Sequence, residues 1–268
     1  MFKTCLLIAL TMTACTTLPA ESKDDTADTS GALADEAVDL CEGMPLTLPV
    51  SDAGEAVQVF TWGMPIAEIG YLGDAVLGAA EYLVDSPDAG GCLTVSTDDE
   101  SGATLIEADC EDIDGITLTG SMSWLNTDTG YALSATALHM DDGNTVLSMD
   151  GTSTLFTDST RLTFEADISI ADTIGDDPPS DRELIGFGSS DDEGSLWYGW
   201  ISVAAGLGDN TGGSCFSVTE SFGDDSTCGT DTQVLVGANT AVLTSDPDTC
   251  DGCFDVTIDG ETVDPWCR

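Results

Sequence analysis

Positive charge is what this sequence has least of. Over 268 residues, 5 lysines and arginines stand against 50 aspartates and glutamates, a formal charge of −45. A surface of that sign repels phosphate backbones and anionic lipid headgroups, which excludes nucleic acid as a partner. Histidine is nearly absent as well: His139 is the single one, so multi-histidine metal sites are excluded and one candidate base remains at neutral pH. No Gly-x-Ser-x-Gly elbow accompanies it, and a structural residue closing the strand Tyr131–Met140 is the better reading. Leu6–Met12 is an apolar run too brief to span a bilayer, and the longer apolar stretch Pro65–Val84 carries Glu68, Asp74 and Glu81, which argue against a membrane span. No internal repeat of fixed period is present.

What is present is strand periodicity. A hydrophobic fraction of 41% can support a core. In Ile116–Trp124, Ile116, Leu118, Gly120, Met122 and Trp124 alternate with threonines and serines, the two-residue period of a half-buried strand. Arg161–Ile170 repeats it, with Leu162, Phe164, Ala166, Ile168 and Ile170 on one side. Asp114-Gly115, Asp142-Gly143-Asn144 and Asp150-Gly151 offer residues that accept positive φ and predict tight hairpin turns. Further strands are predicted at Glu183–Gly188, Leu196–Ala204, Cys215–Glu220, Thr232–Val236, Thr240–Thr244 and Phe254–Ile258, with a loop at Asp176–Ser180. Leu196–Ala204 is apolar on both faces, so the sheet must roll over or meet a second layer there. The predicted fold is mainly β with an α+β arrangement: a large antiparallel meander or rolled sheet over residues 91–268, stapled by disulfides and packed on a helical N-terminal segment, residues 33–90.

Within that segment Ala32–Leu40 is a short helix candidate, and Asp52 with Glu55 forms a capping box for a second helix running towards Trp62. The strongest helix opens with Pro65 in its first turn and sets Ile66, Ile69, Leu72, Val76, Leu77, Ala80, Leu83 and Val84 along one side. Gly70, Gly73 and Gly78 predict close approach to the sheet or a break in the helix.

The first residues read as a leader: a basic start at Lys3, the short apolar run, then Met12-Thr13-Ala14-Cys15. This stretch resembles the lipobox of bacterial lipoproteins, in which the cysteine is lipidated after cleavage. The resemblance implies a signal peptide over residues 1–14, a lipid on Cys15 and membrane attachment through it. Thr16 rather than Asp after the cysteine implies the outer membrane in a Gram-negative cell. Ordinary secretion with cleavage near Ala20 is the alternative. Residues 15–32 are small, polar and acidic and predict a disordered tether.

With Cys5 lost in the leader and Cys15 lipidated, eight cysteines remain, an even number that favours disulfides in an exported chain. Cys92 and Cys110 lie symmetrically about a turn-like stretch and are predicted to face each other on adjacent strands. Cys215 with Cys228, and Cys253 with Cys267, are arranged similarly. Elimination then pairs Cys41 with Cys250. Cys250-Asp-Gly-Cys253 has the spacing of a redox or zinc motif, but no second such pair and no thioredoxin-like context accompany it.

Other candidates are weaker. With 50 acidic residues a carboxylate pair for hydrolysis is neither supported nor excluded. Asp112-Ile113-Asp114-Gly115, Asp191-Asp192-Glu193 and Asp224-Asp225 could hold calcium weakly. Trp197, Tyr198 and Trp200 belong to the densest aromatic patch; in a strand these rings alternate sides, so one side can be core while the other offers a stacking platform for a glycan or peptide, although burial is the commoner use of such rings. No cofactor is implied. The function expected is non-enzymatic, structural or binding, at the cell envelope. The alternatives are an amphiphile carrier with an apolar cavity between helix and sheet, and a carboxylate-dependent hydrolase.

Overall fold

The alternating segments become consecutive strands of one antiparallel sheet. The structure, a computed structural model, describes residues 35–158, 160–175, 179–221, 230–245 and 253–267. Three helices come first: α1 (Asp35–Leu40), α2 (Ala53–Gly63) and α3 (Ile66–Asp85). The strands follow as β1 (Leu93–Thr97), β2 (Thr104–Ile113), β3 (Ile116–Thr127), β4 (Gly130–Asp141), β5 (Thr145–Thr157), β6 (Leu162–Ile174) and β7 (Ser180–Ser190). The second half adds β8 (Gly194–Ala205), β9 (Gly212–Ser221), β10 (Thr230–Val236), β11 (Thr240–Ser245), β12 (Cys253–Ile258), β13 (Glu261–Thr262) and β14 (Trp266–Cys267). Each strand from β1 to β13 pairs with its neighbours in sequence, and β14 pairs with β12. The described residues form one compact unit. The leader, Cys15 and the tether proper lie outside the described residues.

One face of the sheet is apolar, as the periodicity predicts: Trp124, Phe164, Ile168 and Ile170 are buried in a single cluster with Val59, Phe60, Leu72, Val76 and Leu83 of the helices. Laid flat, thirteen strands spaced about 4.8 Å apart would span roughly 58 Å, while two helices, each about 10 Å across, would cover only a third of it. A single shared core therefore requires the sheet to curl around α2 and α3. β1 has no partner on its outer side among the described residues, so the roll stays open.

Bulges supply part of the bend. The register shifts between Thr119 and Ser121 in the β3–β4 pair and between Ala135 and Leu138 in the β4–β5 pair. Ala137 sits at φ 46° and Gly120 at φ 89°, and a Cβ on Gly120 would lie 2.3 Å from the Ala137 carbonyl oxygen. Bulges of this kind increase local twist and bend the strand. Asp114-Gly115 and Asp142–Asn144 form turns as predicted, but Asp150-Gly151 does not. It lies inside β5, paired with Ser169 and Ile168, and its positive-φ glycine serves the bend instead of a reversal.

The helices seat as their sequences direct. Asp52 caps α2, accepting from the Glu55 amide at 2.9 Å, while the Glu55 side chain reaches back to the Ser51 amide at 2.7 Å. In α3, Ile69, Leu72, Val76, Ala80 and Leu83 are buried as expected, but Val84, one residue around the helix from the fully buried Leu83, is exposed. The side chain of Ile66 is outside the described set. The α3 glycines do not break the helix. A Cβ on Gly73 would stand 2.9 Å from the Trp124 ring, so this glycine permits the close contact, whereas Gly78 faces open space.

The two-faced strand β8 is explained by a second layer. Its outer face carries Trp200, buried in a small cluster with Cys41 and Cys215, and α1 packs over β8 and β9. From there residues 45–50 cross the end of the sheet to reach α2. The amides of Thr47 and Leu48 both donate to the Gly213 carbonyl at 2.9 Å, and the Ala238 amide donates to Leu48 at 2.9 Å. A Cβ on Gly213 would meet the Pro45 oxygen at 2.2 Å, so only glycine allows this strap to lie so close.

The disulfides Cys92–Cys110 and Cys253–Cys267 form as predicted, but Cys41 pairs with Cys215. This corrects both the Cys41–Cys250 and the Cys215–Cys228 assignments. Across the β9–β10 hairpin Cys215 faces Val236, and its side chain points to the outer face, where α1 brings Cys41. Cys228 and Cys250 lie outside the described residues. Because Cys253 is bonded to Cys267, the Cys-x-x-Cys spacing is not a free dithiol.

Two predictions follow from the packing. Gly78→Ala should raise stability in urea unfolding by about 0.5–1 kcal/mol, while Gly73→Ala should lower it by about 1–3 kcal/mol through overpacking on Trp124. Peptide mapping without reduction should recover a fragment holding Cys41 joined to one holding Cys215; Cys41 joined to Cys250 would contradict the strap.

Candidate functional site

Two polar constellations stand out, one on each face. On the helix-covered face Arg182 is 3% exposed, and its guanidinium contacts Glu68 of α3 and the Ser180 hydroxyl. Asp172 of β6 approaches it at 3.6 Å, and the Trp62 ring of α2 lies 5.4 Å from its Cζ. Ser180 donates to the other Asp172 oxygen at 2.7 Å. Register explains the meeting: Arg182 faces Ile170 and Ser180 faces Asp172 across β6–β7, so all three polar groups point inward beneath the α2–α3 junction.

One guanidinium serves two carboxylates, and among the described residues no donor lies within hydrogen-bond distance of Asp172 Oδ2, which Arg182 approaches at 3.6 Å. Burial pushes the Glu68 carboxyl above its ordinary value of 4.5, Arg182 pulls it down, and the neighbouring Asp172 raises it again. Desolvation is the larger effect, since the single positive charge cannot compensate both acids. The chemistry on offer is ionic fastening of both helices to the sheet. Sequence analysis did not single out Arg182, although its parity with Leu184 in β7 was a signal that this cation faces the core.

On the outer face a shallow groove of about 280 Å3 crosses β4 to β7. It follows from register. His139, Ser148, Ala171 and Asp181 are successive cross-strand partners, and Asp150 faces Ser169 in the adjoining row. Where the row passes through Ser148 and Ala171 the side chains are short, so the surface dips between His139 and Asp181. His139 Nδ1 and Ser148 Oγ are 3.0 Å apart, and Asp150 accepts the amide of the bulged Ala137 at 2.7 Å. Ala137 also lines the groove. His139 is therefore half-buried on the outer face in a hydrogen-bonded pair, not in the core.

The aromatic patch is divided by strand alternation. Trp197 is 8% exposed and packs on Phe164 in the core, with ring centroids 6.0 Å apart. Trp200 donates to the Pro45 carbonyl at 3.1 Å under the strap. Tyr198 is half-buried on the outer face, stacked with Phe187 at 6.0 Å. Alternation thus sends Trp197 to the core and leaves Tyr198 and Trp200 on the outer face, where the strap covers Trp200 and only Tyr198 stays partly open.

The acidic turns have local duties. Asp114 accepts from Ser86 at 2.6 Å, and Asp191 accepts the amides of Glu193 and Gly194 in its own turn. Asp224-Asp225 lies outside the described residues. Among the described residues no group of three His, Cys, Asp or Glu side chains is arranged to hold a metal ion. The space beneath α3 where an amphiphile would sit is filled by Leu72, Val76, Leu83 and Trp124. A second concavity, about 110 Å3, lies between α2 and the final strands against Phe60, Met64, Phe254 and Trp266. No helix among the described residues is long and apolar enough to cross a membrane.

Compared with protein-family models, with curated proteins and with solved structures, the chain matches none.

The ionic cluster gives a pH-linked prediction. A carboxyl whose folded value is raised contributes stability below its unfolded value and loses it as pH rises through the folded value. Native stability should therefore fall by the Glu68 contribution as pH climbs from about 4.5, and Glu68→Gln should remove that fall. Arg182→Ala, which strands the buried Asp172 carboxylate and leaves the half-buried Glu68 without its cation, should cost about 3 kcal/mol at neutral pH. Urea unfolding across pH measures both.

Proposed function

We propose that this chain is a non-enzymatic lipoprotein, held at the cell envelope through Cys15, whose sheet presents its outer face in a structural or binding role. The observation that carries the reading is the occupancy of the opposite face: α2 and α3 fill it with their own side chains, joined by Arg182 and Trp124. What the body can offer a partner is then the outer surface, rich in threonine, serine and carboxylate. A −45 charge keeps that surface solvated and away from anionic lipid. The leader Met12-Thr13-Ala14-Cys15 and the acidic stretch after it supply the attachment and the spacing, with Thr16 favouring the outer membrane. Disulfides suit an oxidising compartment outside the cytoplasm.

The test is intact-mass spectrometry on protein recovered from an exporting bacterial host. The expected mass is that of a chain starting at Cys15 and carrying lipid, recovered with membranes. Cys15→Ser should release the body into the soluble fraction. A chain starting near Thr16–Glu21 without lipid would overturn the anchor.

A further inference from the structure

We propose that the groove between His139 and Asp181 on the outer face holds an alkyl ammonium group, the side chain of a lysine in a basic peptide segment. This deepens the binding role proposed above and rests on it for the outer face being the one presented.

The shape comes first. The trough is bounded by His139 on β4 and Asp181 on β7 and runs over Ser148 and Ala171, with Ala137, Asp150 and Ser169 beside it. Ala171 gives it an apolar floor and Ala137 an apolar edge. Four methylenes can lie along such a floor while the charged head reaches a polar rim, the division of labour typical of lysine.

The charge follows. Asp150 and Asp181 flank the trough, and the ion pairs formed by Arg182 lie on the opposite face, with Glu68 and Asp172. Although Arg182 is next to Asp181 in sequence, strand alternation turns it inward, so the chain's own guanidinium does not serve this carboxylate. The field of 50 acidic residues steers cations towards the whole surface, and a concave site concentrates that field. A metal ion is a poor fit, because no three ligating side chains converge among the described residues. Lysine fits better than arginine. The acceptors, two carboxylates and the hydroxyls of Ser148 and Ser169, are scattered around the trough and not arranged as a planar pair, and the three rotatable donors of an ammonium can meet them where a rigid fork cannot.

The experiment is calorimetric titration of the full-length protein with tetralysine amide at about 0.15 M salt, where long-range attraction is largely screened. The fully acetylated peptide is the uncharged control. Asp181→Asn should weaken binding about fivefold, and Ala171→Phe should weaken it at least as much without changing charge. Asp255→Asn, an equal charge change at an exposed position of β12, should alter it less than about twofold. Equal losses for the two aspartate variants, or no measurable binding, would overturn the proposal by leaving only the general field. Should Ala171→Phe fail to fold, the contrast between Asp181 and Asp255 still decides. The anchor is read separately by the mass of the Cys15 product: lipidated protein indifferent to tetralysine removes the groove alone, and unlipidated protein that binds it selectively removes the anchor alone.

Discussion

A sheet whose strands follow one another in sequence order, departing from it only where β14 pairs with β12, gains no closure from topology. Its one apolar face must be hidden by something else. Here that constraint is met by the α2–α3 pair, and the remaining architecture can be derived from it. The sheet has to curl because two helices are narrower than thirteen strands, and bulges at Gly120 and Ala137 let it curl. Gly73 lets α3 sink onto Trp124, and Arg182 ties the ends of both helices to β6 and β7. The ion cluster is placed where α2 turns into α3, between Trp62 and Glu68.

α1 sits on the opposite side of the sheet from α2 and α3. It lies against the outer face at Trp200, and the strap over Gly213 carries the chain around the sheet's end to α2. β8 is apolar on both sides because it is covered twice, by helices within and by this segment without. Elsewhere the outer face keeps its hydroxyls and carboxylates, and its groove arises where the small residues Ser148 and Ala171 on β5 and β6 fall in one row between His139 and Asp181.

Much of the fold was legible because it is local. The period of two in Ile116–Trp124 and Arg161–Ile170 and the Cys92–Cys110 hairpin depend on residues close in sequence. What was not legible depends on paths between distant parts. The Cys41–Cys215 bond requires knowing that the N-terminal segment crosses to the outer face, which no periodicity encodes. Asp150-Gly151 has turn chemistry, yet the long pairing of β5 with β6 outweighs it. The groove needed the register of four strands at once, since His139 and Asp181 are unremarkable until Ser148 and Ala171 fall between them. Arg182 was legible in principle, by its alternation with Leu184, but a lone cation in an acidic chain reads first as solvent-facing.

The strap and its disulfide also decide where mechanical load would travel. Tension applied to the chain ahead of Asp35 would reach Cys41 within a few residues and pass through sulfur into β9, a strand bonded on both edges. α2 and α3, which follow that junction in the chain, would be spared the pull, and only α1 would carry it. A body hung from its amino-terminal end would in this way be suspended by the middle of its sheet, leaving the core packing unloaded.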